Sequence, residues 1–182
     1  MHRSAVSLAV GPAAMLRFAC MLAVITLVSV GGCDRDGPSH TLSPADRRPQ
    51  AARAEAFPGE FAYQEAKRYI QASDLRSAIT ALQRAIAQNP DLTEAYYQLG
   101  AAKTNLAIEE VRRDERAAIE LFREGVEAKK EARRLMNQNK YYVWDERQRA
   151  QARVDLREAL RDVDAVLADE PSLIAALKTY GG

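Results

Sequence analysis

Residues 74–95 read DLRSAITALQRAIAQNPDLTEA, and residues 155–176 read DLREALRDVDAVLADEPSLIAA. At an offset of 81, Asp74, Leu75, Arg76, Ala78, Ala87, Pro90, Leu92 and Ala95 recur as Asp155, Leu156, Arg157, Ala159, Ala168, Pro171, Leu173 and Ala176. In the same frame Gly100 meets Gly181, and the apolar Ile79, Leu82, Ala85 and Ile86 meet Leu160, Val163, Val166 and Leu167. Two alanine-rich helices share a few residues by chance. They do not share an Asp-Leu-Arg start, a proline and a glycine in one register. An internal repeat of this kind describes units that bury their apolar faces on one another rather than alone.

The sequence around the two stretches is uniformly helical in character. Residues 60–180 contain only the prolines Pro90 and Pro171 and only the glycines Gly100 and Gly125. The rest is rich in Ala, Leu, Glu, Arg and Gln, which lose little side-chain freedom in a helix. No window alternates apolar and polar with period two, so no sheet is expected and the fold class is all-α.

The repeated unit resembles the tetratricopeptide repeat (TPR), a helix–turn–helix module of about 34 residues. Pro90 takes the closing proline of the first unit, Ala78 and Ala85 take its small-residue places, and Tyr69, Asp74 and Leu82 fit between them. One repeat further on, Tyr96, Leu99 and Gly100 open a second unit. The resemblance covers most of residues 59–182 and implies a right-handed solenoid of about three helical hairpins. Small residues at those places let helices approach closely, and proline stops a helix because it lacks the backbone donor.

Departures from the repeat carry their own expectations. In the first helix, Ala62, Glu65 and Ala66 stand where the family prefers a large residue, an apolar residue and glycine. The matched stretches lie 81 residues apart, about 13 more than two repeats of about 34 allow. The small-residue places return at Ala118 and Gly125 with Phe122 between them, so the extra residues fall on both sides of one turn. That lengthens both arms of the middle hairpin, which is expected to project beyond its neighbours, with its turn near Arg112 to Glu115. Its second arm, Ala117 to Met136, keeps an apolar stripe at Ile119, Phe122, Val126 and Leu135, and the loop Asn137-Gln138-Asn139 follows. The third unit has no glycine or proline between Asp145 and Asp169. It is either one long helix or two arms that break near Val154-Asp155, and the match of Asp155 with Asp74 favours the break. A short helix, Pro171 to Thr179, is expected to cap the stack.

The chemistry available in this region is narrow. Residues 59–182 contain neither histidine nor cysteine. That excludes Ser–His and Cys–His catalysis, thiolate zinc sites and histidine metal sites. Ser73, Ser77 and Ser172 stand where turns or helix starts use them, and no glycine-rich phosphate loop is present. Pairs such as Glu109-Glu110 and Asp162 with Asp164 read as solvated helix faces. No enzyme activity, metal or cofactor is expected. The formal net charge is +1. Arg3 and Arg17 are the only charges in residues 1–32, which leaves 24 basic and 25 acidic residues beyond them. So balanced a domain has no bulk field to draw nucleic acid.

Binding is easier to place. The resemblance implies that the first helix of each unit lines a concave groove. Carried over residue by residue, that puts Tyr63, Tyr97 and Trp144 at one equivalent place and Lys67, Ala101 and Gln148 at the next. Ile70 with Gln71, Thr104 with Asn105, and Gln151 with Ala152 follow. Tyr63, Lys67, Tyr97, Asn105, Trp144 and Gln148 are therefore the candidate partner-binding residues. Tyrosine and tryptophan serve interfaces well because they bury area and keep a polar handle. The competing reading is that these aromatics, with Tyr96, Tyr141 and Tyr142, pack between helices. The charges do not reproduce the paired basic clamp that some TPR domains use for a terminal carboxylate.

Before the helical region lies an address. Arg17 precedes thirteen uncharged residues, Phe18 to Val30, too few to span a bilayer comfortably, which takes about 20. They fit the apolar core of a secretory signal. The run ends Gly31-Gly32-Cys33, which resembles the lipobox of bacterial lipoproteins. The resemblance implies a signal peptide over residues 1–32, cleavage before Cys33, and a diacylglycerol on its thiol, with palmitate on the new amine. The alternative is an uncleaved anchor with an incidental cysteine. The start at Met1 and a second at Met15 both remain open. Asp34 resembles the signal that retains enterobacterial lipoproteins in the inner membrane, facing the periplasm. Residues 33–58 hold the lipidated cysteine and a tether carrying Pro38, Pro44, Pro49 and Pro58, too poor in large apolar residues to fold alone. The helical domain spans 59–182. Together these readings describe a membrane-anchored adaptor or assembly factor in a bacterial envelope complex, with another envelope protein as partner. The alternatives are self-association through the long hairpin and service as an accessory subunit of an envelope enzyme or transporter.

Overall fold

The structure, a computed structural model, describes residues 58–181. The expectations for the signal peptide, Cys33, Asp34 and the tether before Pro58 lie outside the described residues. Those that are described form seven helices and connecting turns, with no strand among them. The fold is an all-α, TPR-like helical array.

Helix α1, Glu60–Gln71, opens at Gly59, whose φ of 88° places it in the left-handed region. A side chain there would also meet the Ala85 carbonyl oxygen at 2.6 Å, so glycine is needed twice over. Helix α2, Leu75–Gln88, starts where the sequence places it: the Asp74 carboxylate accepts the Ser77 N–H at 3.1 Å. Pro90 follows the end of α2, and helix α3, Thr93–Glu110, begins just after Leu92. Helix α4, Glu115–Asn137, is capped by Asp114, which accepts from Ala117 N. The turn between α3 and α4 thus falls where Arg112 to Glu115 suggested. Helices α3 and α4 have 18 and 23 residues against 12 and 14 in α1 and α2, so the middle hairpin is elongated.

Each helix packs on its chain neighbour from α1 to α4, and α3 with α4 is the most extensive pair. Glycine makes that pair close. A Cβ at Gly100 would lie 2.9 Å from Gly125 O, and a Cβ at Gly125 would lie 3.0 Å from Gly100 O. The expected stripe is the core of the hairpin: Ile119, Phe122, Val126 and Leu135 are all buried. Phe122 is 2% exposed, and truncating such a ring costs about 3–5 kcal/mol.

Two expectations about the later chain are corrected. The long hairpin does not project freely. Helix α7, Glu170–Tyr180, packs across α3 and α4 at the end where they turn. Leu173, Ala176 and Leu177 join Ala107, Val111, Ala118, Ile119 and Phe122 in one cluster, and Lys178 pairs with Glu115. On the other flank Arg76 pairs with Glu110. The apolar stripe that could have joined two copies is therefore consumed inside the chain.

The third unit also breaks elsewhere. Helix α5, Glu146–Ala159, runs straight through Val154-Asp155, and the interruption falls at Leu160 to Asp162 before helix α6, Val163–Ala168. Asp145 and Gln148 form a reciprocal capping box that fixes the start of α5. Asp162, with φ 56°, makes the break without glycine, as the short aspartate side chain tolerates. Asp155, the match of the capping Asp74, is instead buried in mid-helix. The C-terminal helix is present, with Asp169 as its cap and Pro171 in its first turn.

Candidate functional site

Eight residues between α4 and α5, Gln138 to Asp145, cross the face where α1 and α3 begin. Their anchor is Glu94, in the first turn of α3 and fully buried. Its Oε1 accepts three successive backbone donors, from Tyr142 at 2.9 Å, Val143 at 2.8 Å and Trp144 at 3.1 Å. A carboxylate is the side chain suited to three convergent N–H groups, since charged acceptors make the stronger bonds. Oε2 of the same carboxylate is buried without a hydrogen-bond partner. The clamp holds Tyr142 and Val143 half-exposed beside a shallow depression lined also by Pro58, Glu60, Asn89 and Leu92.

Next to the clamp, the second and third units meet through side chains. Tyr97 and Trp144 pack edge to face with centroids 5.1 Å apart. The Tyr97 hydroxyl donates to Asp155 Oδ2 at 2.7 Å, and Gln151 Nε2 donates to Asp155 Oδ1 at 2.7 Å. Burial, followed by the Asp155 bond and charge, pushes the Tyr97 hydroxyl well above the ordinary tyrosine range. Tyr63, 3% exposed, is pushed up by burial and then by the Glu94 charge. Both hydroxyls stay protonated at any physiological pH.

The six candidate residues thus divide. Tyr63 is packed between helices, and Tyr97 and Trp144 are half-buried in contact with each other, so these aromatics join the units rather than offering free anchors. Gln148 is exposed, but its side chain closes the capping box by accepting from Asp145 N at 3.0 Å. Lys67 is exposed on α1, and Asn105 with Ala101 is half-exposed on α3. Lys67, Ala101 and Asn105, together with exposed Gln71 on α1, keep accessible surface on the expected groove face.

Sequence reasoning missed the polar groups that organise this face. Glu94 binds backbone 48 to 50 residues away, and no local pattern announces such a partner. Lys129 is also buried, on α4 against the Gly100 contact, and its Nζ reaches only Thr104 Oγ1 at 3.4 Å. Burial pushes its ammonium down to about 8. Thr104 Oγ1 in turn donates to Gly100 O at 2.9 Å. Glu94 pins the loop onto α3, whereas Lys129 and Thr104 lie inside the α3–α4 contact.

With the hairpins and their contacts in place, comparison with known proteins agrees on the class. Residues 66–106, from the middle of α1 to the last turns of α3, match the family described as TPR repeat. The chain contains a TPR repeat, and such repeats point to a role in binding protein partners. Neither the curated proteins nor the solved structures contain a match to the chain.

Proposed function

We propose that the chain is a membrane-tethered adaptor or assembly factor of a bacterial envelope complex, not an enzyme, and that its helical domain holds a segment of a partner protein. The observation that carries this reading is the TPR repeat over residues 66–106, whose first-helix face stays open at Lys67, Ala101 and Asn105. An α-helical array offers a long, rigid face at low ordering cost, which suits capture of an extended or helical segment. The Gly31-Gly32-Cys33 sequence supports lipidation at Cys33, and Asp34 supports the inner membrane.

Two measurements test the reading. Palmitate labelling is expected in the wild-type chain and absent in Cys33→Ser; label that persists in Cys33→Ser removes the anchor. Affinity capture from native membranes is expected to yield one enriched partner that Lys67→Glu with Asn105→Arg loses while the helical domain melts unchanged. Capture unaffected by that double substitution removes the open face as the binding surface.

A further inference from the structure

Helix α5 carries Arg147, Arg149, Arg153 and Arg157, and none of them meets a carboxylate at ion-pair distance among the described residues. Elsewhere the surface cations are commonly paired, as in Arg123 with Glu170 and Lys130 with Asp164. The acids of α5 are largely engaged: Asp155 is buried on Tyr97 and Gln151, and Glu158 pairs with Arg161, leaving Glu146 at the helix start.

Arg149, Arg153 and Arg157 follow at i, i+4 and i+8, so they share one edge of the helix. Like charges at this spacing disfavour a helix, and none of the three is relieved by an ion pair among the described residues. The first two are also held in place. The Arg149 guanidinium lies 4.6 Å from the centroid of the Tyr141 ring, and its Nε donates to Trp144 O at 2.9 Å. Arg153 donates to the Tyr141 hydroxyl at 3.1 Å, and that hydroxyl donates to Met136 O. One tyrosine thus orients two guanidinium groups without neutralising either. Among its neighbours α5 packs chiefly on α4, and Val154 is 50% exposed beside the arginines.

We infer that this edge of α5 is a docking surface for an acidic segment of the partner protein, with carboxylates received by Arg149, Arg153 and Arg157 and an apolar residue on Val154. Guanidinium recognises carboxylates through paired parallel hydrogen bonds, and fixing it beforehand lowers the ordering cost of binding. The inference supplies a partner chemistry for the adaptor role and rests on that role.

The test uses the full chain in detergent and a fluorescein-labelled peptide in which glutamates alternate with alanine and leucine. A glutamine-for-glutamate copy and a single-stranded DNA serve as comparison probes. By fluorescence anisotropy the glutamate peptide is expected to bind at least about tenfold tighter than its glutamine copy, weakening as salt rises through about 0.15 M. Arg153→Gln with Arg157→Gln, which removes no buried contact, is expected to weaken it about tenfold or more. Arg112→Gln with Arg116→Gln is expected to leave it unchanged. The inference is overturned by equal binding of the two peptides, by equal loss in both double variants, or by tighter binding to DNA than to the glutamate peptide. Capture of a partner at the Asn105 face together with no glutamate-peptide binding ends this inference and leaves the adaptor role standing.

Discussion

The Tyr97 hydroxyl and the Asp155 carboxylate meet at 2.7 Å, joining α3 to α5 across 58 residues of chain. The bond is half-buried and one partner carries charge, a setting in which a hydrogen bond contributes about 1.5–3 kcal/mol. Tyr97→Phe is expected to lower stability by about that amount in urea unfolding. In a double-mutant cycle with Asp155→Ala the coupling is expected to exceed about 0.5 kcal/mol. Additive losses would mean that the two residues act separately.

The Glu94 clamp gives a second expectation. Glu94→Ala frees three backbone donors at once, and the loop they belong to carries the chain's single tryptophan, Trp144. Water can reach part of this loop, so the expected loss is about 2–4 kcal/mol rather than the full cost of three buried donors. Trp144 emission is expected to shift to the red as it leaves the Tyr97 ring. An unchanged spectrum would show that the loop holds its place without Glu94.

At the α3–α4 crossing two effects oppose each other. Replacing Gly100 with alanine favours helix by about 1 kcal/mol. The new Cβ would lie 2.6 Å from Lys129 Cγ and 2.9 Å from Gly125 O, and a backbone oxygen in a packed helix yields little. Overpacking of this kind costs about 1–3 kcal/mol or more. Gly100→Ala is therefore expected to be destabilising, by up to about 2 kcal/mol. A rise in thermal midpoint would contradict the close approach.

Lys129 makes stability depend on pH. An ordinary lysine titrates at 10.5, and burial lowers this one to about 8 in the folded chain. Between those values the unfolded chain binds more protons, so stability rises with pH; below about 8 the penalty of the buried charge is present in full. Above about 10 the direction reverses. Tyr63 and Tyr97, both raised, keep protons that the unfolded chain gives up, and the stability they contribute is lost as pH climbs. Urea unfolding of the wild-type chain is expected to show a gain between about pH 8 and 10. Lys129→Met is expected to be flat there and about 2 kcal/mol more stable at neutral pH. A Lys129→Met chain that keeps the wild-type slope would assign the gain to another group.

Much of the array was legible because its signals are local. Asp74 and Pro90 act within a few residues of themselves, so the start of α2 and the turn before α3 were legible, and the charged run Arg112 to Glu115 marked the turn before α4. The surplus length of the middle hairpin was likewise countable. The rest depended on distant partners. Asp155 matches Asp74 in sequence, yet its carboxylate takes the Tyr97 hydroxyl and its helix continues, so a matched letter indicated a cap that does not exist. The true break at Leu160 to Asp162 has neither glycine nor proline to announce it. The length count could not show that α7 folds back over the extended hairpin. In the candidate groove, the resemblance put Tyr63, Tyr97 and Trp144 at equivalent places, and the structure shows Tyr97 and Trp144 in contact. It could not show that their contacts are with each other.

The face around Lys67 and Asn105 is proposed to hold another protein. A photo-activatable amino acid placed at Asn105, at Lys67 and, as a control, at exposed Arg116 tests this in cells that express the full chain. The expected result is a discrete adduct with one protein other than this chain from Asn105 and Lys67, and none from Arg116. No adduct from either face position, or adducts only between copies of this chain, would contradict it.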